Sequence, residues 1–247
     1  MTGARLLIAE LGRVPYTDAH RLQHALRERR IAGALDSDVM LLLEHEPTVT
    51  LGRGTKASSL PVPTGELARR GMTVAEVERG GDVTWHGPGQ LVGYPILNLS
   101  HHREDLHWYL RQVEAVLIGS LADLGITAGR NAGYTGVWSG GRKIASIGVH
   151  VRQWVTTHGF ALNVTNDSSG FDLIVPCGIQ DVQMTSVLRE LGEAAEAGLW
   201  QRAIAAVTRN MGGVFGLATS PVTLAELLPG VSDLPGALSS SRHHTAT

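Results

Sequence analysis

Between residues 104 and 124 apolar side chains recur every third or fourth position, with Leu106, Leu110, Val113, Leu117 and Leu121 on one face and Gly125 at the end. That period predicts an amphipathic helix. Ala19, Leu22 and Leu26 predict another, from a cap at Thr17 or Asp18 to about Arg30. Asp38 to Glu44 is instead a short unbroken apolar run, the pattern of a strand buried on both faces. Arg5 to Leu11 and Thr48 to Gly52 also read as strands, and Thr64 to Arg70 as a short helix stopped by Gly71. Strands near 74–77 and 91–99 flank a glycine-rich stretch. From Tyr134 to Val164 the pattern is that of strands joined by turns at Ser139–Gly141 and near Gln153. Two helices are expected over 186–191 and 193–210, the second ended by Gly212 and Gly213. No internal repeat or linker divides the chain. The expectation is one α/β (α+β) domain over residues 1–235, a mixed sheet flanked by helices, followed by a mobile polar tail over 236–247.

Composition narrows the setting. An apolar content of 43% is enough for a real core, and a formal charge of −2 leaves no footprint for nucleic acid. Glu10 interrupts the first apolar run after four residues, too short for a signal segment, and no run approaches a membrane span. A single cysteine, Cys177, rules out an internal disulfide framework. A cytoplasmic protein without a membrane segment is expected.

Candidate chemistry concentrates in four segments. The chain holds 21 basic residues but only two lysines, Lys56 and Lys143, and Lys143 directly follows Arg142. A lysine placed where charge alone was already supplied is a candidate for chemistry that a permanently charged guanidinium cannot do. Arg79 to Gln90 places His86 in a tight loop between glycines; the spacing misses the dinucleotide fingerprint, and Pro88 removes a donor. In Thr157 to Val164, Phe160, Leu162 and Val164 share the core parity, while Gly159, Ala161 and Asn163 share the other. Ser146 and Gly148 repeat these small side chains on the preceding strand. Together they could form a slot for an unbranched alkyl chain, or a bed for a closely packed helix. Regular alternation, however, turns Lys143 away from Ser146 and Gly148 unless the Gly-Gly turn before it breaks the parity. Finally, Pro176 and Gly178 frame Cys177, and the Gly178 N–H could steady an oxyanion at a carbonyl attacked by sulfur. A free thiol is only about 3% thiolate at neutral pH, so an amine beside it would favour the reactive form. His101, His102 and His107 match no zinc spacing and read as a solvated helix start; His20 and His24 read as partly exposed.

Taken together, Arg79 to Gln90, Gly141 to Gly148, Pro176 to Ile179 and an early segment from Leu43 to Gly54 resemble the lipoyl(octanoyl) transferase family. The similarity runs in order from about residue 5 to 215. It implies the fold of the biotin and lipoate protein ligases. It implies Cys177 as carrier of an acyl thioester, and Lys143 as the residue that lowers the thiol pKa. It implies substrate contacts at Arg79, Gly80, Gly81, Asp82, Val83, Thr84, Trp85 and His86, at Ser146, Ile147 and Gly148, and at Gly159, Phe160 and Ala161. His86 would orient the acyl carbonyl or an amine. The implied donor is octanoyl-acyl carrier protein. The implied acceptors are lipoyl domains of 2-oxoacid dehydrogenase E2 subunits and the glycine cleavage H protein. No cofactor and no metal are implied. Arg53, Arg79, Arg130, Arg142 and Arg152 are candidates for a patch that docks the acidic carrier. An ATP-dependent ligase on the same fold, a binding module and a cysteine hydrolase are the rival readings.

Overall fold

Asp38 to Glu44 is so uniformly apolar because it runs through the middle of the protein. The computed structural model describes residues 5–179 and 181–229. In chain order the strands are β1 (Arg5–Arg13), β2 (Asp38–Glu44), β3 (Thr48–Leu51), β4 (Thr73–Glu76), β5 (Thr84–His86), β6 (Gln90–Ile96), β7 (Gly129–Asn131), β8 (Tyr134–Ser139), β9 (Arg142–Arg152), β10 (Val155–Asn163) and β11 (Ala218–Pro221). The helices are α1 (Tyr16–Ile31), α2 (Thr64–Arg69), α3 (Leu106–Asp123), α4 (Val187–Leu191), α5 (Leu199–Phe215) and α6 (Leu224–Leu227). Eight strands form one mixed sheet in the order β11-β1-β2-β6-β10-β9-β8-β7, with β1 parallel to both β11 and β2. A smaller sheet, β4-β3-β5, stands beside it.

Both faces of the large sheet are covered. Even-numbered β2 residues, Met40 and Leu42, face a core filled by Tyr109, Val113, Leu117 and Leu121 of α3 and Ala203, Val207 and Met211 of α5. Odd-numbered Val39, Leu41 and Leu43 face Ala19, Leu22 and Leu26 of α1 and Leu224 and Leu227 of α6. A third core of Val49, Leu67, Val83, Trp85, Phe171 and Ile174 holds the small sheet. The expected single mixed α/β domain is thus present; its boundary at 235 and the tail over 236–247 lie outside the described residues. Among the described residues no helix is long and apolar enough to cross a membrane.

Several local expectations need correction. Helix α1 begins at Tyr16 behind Pro15, with no side-chain cap; the fixed φ of proline starts the helix, and Asp18 sits in its first turn. Helix α5 starts only at Leu199, after a 3-10 turn over Glu193–Ala195, and passes through Gly212 and Gly213. It stops at the left-handed Gly216. Glycine suits position 212 within the helix because a Cβ there would press on the Leu217 carbonyl oxygen at 2.9 Å. The helix start near His101 is not solvated throughout. Buried Asp38 accepts from Arg30 Nε (3.1 Å), Asn98 N (2.9 Å) and His102 Nε2 (2.8 Å). Asp38→Ala would strand the buried Arg30 guanidinium and a backbone N–H. Urea unfolding is expected to show a loss of about 3–5 kcal/mol; an unchanged midpoint would contradict this account of the network.

Candidate active site

The site forms where three chain segments meet the edge half of the sheet. Strands β9 and β10 pair antiparallel, setting Gly148 opposite Gly159 and Ser146 opposite Ala161, so these four small residues share one face. Their parity is the predicted one. Lys143 joins them through a feature the alternation alone did not contain. Opposite β8, the register moves from Trp138↔Lys143 to Val137↔Ala145, so Ile144 is an extra residue, a β-bulge. Ile144 and Ala145 therefore both enter the α3/α5 core, and Lys143 turns to the face of Ser146 and Gly148. The bulge, rather than the Gly-Gly turn, breaks the parity.

Lys143 is 1% exposed. Its Nζ lies 5.2 Å from the centroid of the Trp138 ring and donates to Cys177 Sγ at 3.0 Å. Its backbone is clamped on both sides: Lys143 N donates to the Gln183 carbonyl (2.7 Å), and Thr185 N donates to the Lys143 carbonyl (2.9 Å). Room for the side chain comes from Gly136, where a Cβ would sit 2.9 Å from Lys143 Cε and the backbone φ is +142°.

Cys177 has a left-handed backbone, φ 57° and ψ 20°, within the turn Pro176–Gly178. Few non-glycine residues hold that conformation without support. Here the support is visible: Cys177 N donates to the Val83 carbonyl (2.9 Å), and Val175 N to the Ser59 carbonyl (2.9 Å). The Asp82 carboxylate ties the two supports together, accepting from Ser59 Oγ (2.6 Å) and Val83 N (2.7 Å). The Gly178 N–H is not free for an oxyanion; it donates to the Val175 carbonyl at 3.0 Å. The donor aimed at the sulfur is the Lys143 amine.

Sulfur and amine lie on the wall of a cavity of about 200 Å³. Of the residues marked in the sequence, Arg79, Gly81, Asp82, Thr84, His86, Lys143, Ser146, Ile147, Gly148, Gly159, Phe160, Ala161 and Cys177 line it. Gly80, Val83 and Trp85 do not. Gly80 N instead binds the Val149 carbonyl (2.9 Å), Val83 is fully buried in the third core, and Trp85 packs edge-on against Phe171. The lining also includes Tyr16, Tyr94, Tyr134, Thr135, His158 and Ile179, which sequence reasoning missed. No sequence pattern singled out Tyr16 or Tyr94, and the left-handed φ of 56° at His158 is invisible to strand periodicity. The glycines do more than leave space. A Cβ at Gly159 would strike the Gly93 carbonyl, and one at Gly148 would come within 3.0 Å of Arg79 Cδ and the Gly80 carbonyl. The close packing at these glycines comes from β6 and the Arg79–Gly80 loop rather than from a helix, and Tyr16 of α1 forms part of the cavity wall.

Arg79 is buried and spent on the loop. Its Nη1 donates to the Asp82 carbonyl (2.8 Å) and its Nη2 to Thr50 O and Oγ1 (both 2.8 Å). It therefore cannot belong to a surface docking patch. Arg130, Arg142 and Arg152 are paired with Glu114, Glu190 and Glu28, so the five arginines do not form one unpaired basic face.

His86 is buried, and its proton can be placed. Gln90 Nε2 donates to the Trp85 carbonyl (3.3 Å) and to Asn163 Oδ1 (3.0 Å), which turns Gln90 Oε1 toward His86 Nδ1 at 2.8 Å. An amide oxygen only accepts, so Nδ1 carries the hydrogen and Nε2 is left as an acceptor. Burial, helped by nearby His45 and Arg79, holds the imidazole well below its ordinary pKa against the opposing Gln90 bond; His86 is neutral. Burial likewise pushes His45 down to about 4, against the bond to the Val14 carbonyl. Its ring bridges Val14 O and Tyr94 Oη, both at 2.7 Å.

The His45 shift predicts how stability depends on pH. Between an unfolded pKa of about 6.5 and a folded one of about 4, the unfolded chain takes up a proton that the folded chain refuses. Stability is full above that window and falls on acidification by about 1.4 kcal/mol per pH unit for this group. Urea midpoints at successive pH values check it, and His45→Gln should flatten the slope. A wild-type midpoint that rises on acidification would contradict the assignment.

Comparison with known proteins shows the family. A family model described as the lipoyl protein ligase A/B catalytic domain matches residues 15–209. The chain belongs to that family. Within it, the chain groups with the octanoyltransferases, which are acyltransferases. It is 45% identical to the octanoyltransferase of Koribacter versatilis over 234 residues, 92% of each chain. It is 49% identical over 206 residues to that of Myxococcus xanthus, an alignment that covers 81% of this chain and 57% of that longer relative. A lipoate-protein ligase A solved with ATP superposes with a TM-score of 0.68 at 15% identity, over 91% of both chains; that likeness concerns the fold alone.

Proposed function

We propose that this chain moves an octanoyl group from acyl carrier protein to the acceptor lysine of lipoyl domains, through a thioester on Cys177. The recipients would be the E2 subunits of 2-oxoacid dehydrogenases and the glycine cleavage H protein. The observation that carries the reading is the Lys143 Nζ to Cys177 Sγ contact of 3.0 Å on the wall of a cavity that also takes in the small residues Ser146, Gly148, Gly159 and Ala161.

The steps balance without an external energy source. With the proton on the amine, the sulfur anion attacks the donor thioester carbonyl. An S–C bond forms at Cys177, and the bond to the carrier's phosphopantetheine sulfur breaks. The departing thiolate takes up the proton that Cys177 gave to Lys143. The acceptor lysine then attacks the Cys177 thioester, and an amide replaces the S–C bond. The amine proton passes to Lys143 or the released sulfur, restoring the pair. The neutral His86, with Nε2 as acceptor, lines the same cavity and can orient that amine. A cytoplasmic setting, which keeps the one cysteine a thiol, goes with this reading.

An ATP-dependent ligase would activate a free acid as an adenylate and would need no thiol. The reading is tested by incubating the enzyme with octanoyl-acyl carrier protein and a lipoyl domain without ATP. The domain should gain an octanoyl amide. Modification only with free octanoate and ATP would overturn the proposal. The cavity makes a second prediction. Ala161→Leu inserts three carbons beside Ser146, and should reduce kcat/KM for octanoyl relative to butyryl donor by roughly tenfold or more. An unchanged ratio would show that the acyl chain lies elsewhere.

A further inference from the structure

A cluster on α1 and β10 is left unused by the thioester chemistry. His20 and His24 stand one turn apart on α1, and both reach Glu78. His20 Nε2 is 3.0 Å from Oε2, and His24 Nε2 is 2.6 Å from Oε1. From β10, His158 brings Nε2 to 3.4 Å from Glu78 Oε1. His158 is 1% exposed, and neither of its ring nitrogens makes a hydrogen bond. The position of that ring is enforced. Its backbone is left-handed, with φ 56°, and its N–H donates to Gln23 Oε1 at 2.6 Å, on the same helix as His20 and His24. One candidate ligand atom each from His20, Glu78 and His158 lie within 4.8 Å of one another.

We propose that His20, Glu78 and His158 bind a divalent transition cation of the zinc class, and that His24, which lies outside this close group but reaches Glu78 Oε1 at 2.6 Å, turns in as the fourth ligand. Three imidazoles and one carboxylate suit such an ion, whereas magnesium and calcium take oxygen ligands. Ligand bonds of about 2.0–2.2 Å put neighbouring ligand atoms of a tetrahedron roughly 3.4 Å apart. His20 Nε2 at 3.0 Å from Glu78 Oε2 and His158 Nε2 at 3.4 Å from Oε1 each already stand at about that distance from one carboxylate oxygen. Histidines four apart on a helix present two nitrogens to one point, as in known helical metal pairs. An ion here would replace the protons now shared between Glu78 and the helix histidines. It would also give His158, whose ring among the described residues has only the 3.4 Å contact to Glu78 and no hydrogen bond, a direct ligand bond. Because His158 also lines the acyl cavity, the ion would tie α1 to β10 behind that wall. It shares no ligand with the Cys177–Lys143 pair. The sequence offered no motif because the four residues come from positions 20, 24, 78 and 158.

The full-length enzyme, stripped with a chelator, is titrated with Co²⁺ and followed by visible absorption. A single Co²⁺ per chain is expected, with the intense bands of tetrahedral coordination, no sulfur-to-cobalt charge-transfer band, and displacement by Zn²⁺. His20→Ala and His24→Ala, at partly exposed positions that leave the core intact, should each weaken binding roughly tenfold or more. Cys177→Ser, His107→Ala on the exposed start of α3, and the double change His243→Ala with His244→Ala should leave it unchanged. The proposal is overturned by a Kd of about 1 mM or weaker, by a weak octahedral spectrum, by binding that survives both α1 variants, or by binding lost in any of the controls.

Discussion

Cys177→Ala is expected to abolish octanoyl transfer, lowering kcat by about 10⁴-fold or more, while leaving the fold and donor binding in place. The change removes one sulfur from a half-buried turn whose shape is fixed by backbone bonds to Val83 and Ser59, not by the thiol. The left-handed φ of 57° is no better suited to alanine than to cysteine, so little stability should change. Cys177→Ser is more stringent, since it keeps shape and a hydrogen-bonding atom but replaces the thiolate by a much poorer nucleophile. Near-wild-type transfer by either variant, measured as octanoylated lipoyl domain per unit time, would show that the acyl group never resides on this residue.

Lys143→Met is expected to reduce transfer by about 10²- to 10⁴-fold without a loss of stability. Nζ sits in a nearly closed site between the Trp138 ring and the sulfur. An unbranched thioether of similar length fills that volume and packs its sulfur and methyl against the Trp138 ring. Stability and turnover should therefore move apart, which a merely structural lysine would not allow. Alkylation of Cys177 by iodoacetamide at neutral pH should slow in parallel, because the amine that contacts the sulfur at 3.0 Å is gone. Lys143→Arg should not rescue: a guanidinium is bulkier than the channel beside Gly136 allows, and it cannot give up its proton. A variant that lost stability and activity together, with alkylation unchanged, would reassign Lys143 to the framework.

The sequence exposed much of this site, for identifiable reasons. The continuous apolar run at Asp38–Glu44 and the small residues at 146, 148, 159 and 161 obey simple periods, and the structure keeps their parity. Where a period was broken, the prediction failed. The bulge at Ile144 depends on how β9 registers against β8, which is a long-range property, yet it decides that Lys143 faces the sulfur. The Gly178 N–H looked free because a chain without its fold does not show the carbonyl of Val175 folding back onto it. Arg79 looked available for a surface docking patch, but its partners Thr50 and Asp82 belong to a strand and a loop that bury it beside the small sheet. His102 became a half-buried partner of Asp38 in the same way, across 64 residues. Local pattern therefore located the chemistry, and tertiary contacts determined which groups were left free to perform it.

The most direct test of the thioester is intact-mass analysis after mixing the enzyme with octanoyl-acyl carrier protein alone. A single octanoyl adduct should appear, map to the peptide containing Cys177, and disappear when a lipoyl domain is added. An enzyme that remains unmodified while the domain is still octanoylated, or an adduct on another residue that turns over, would contradict transfer through this sulfur.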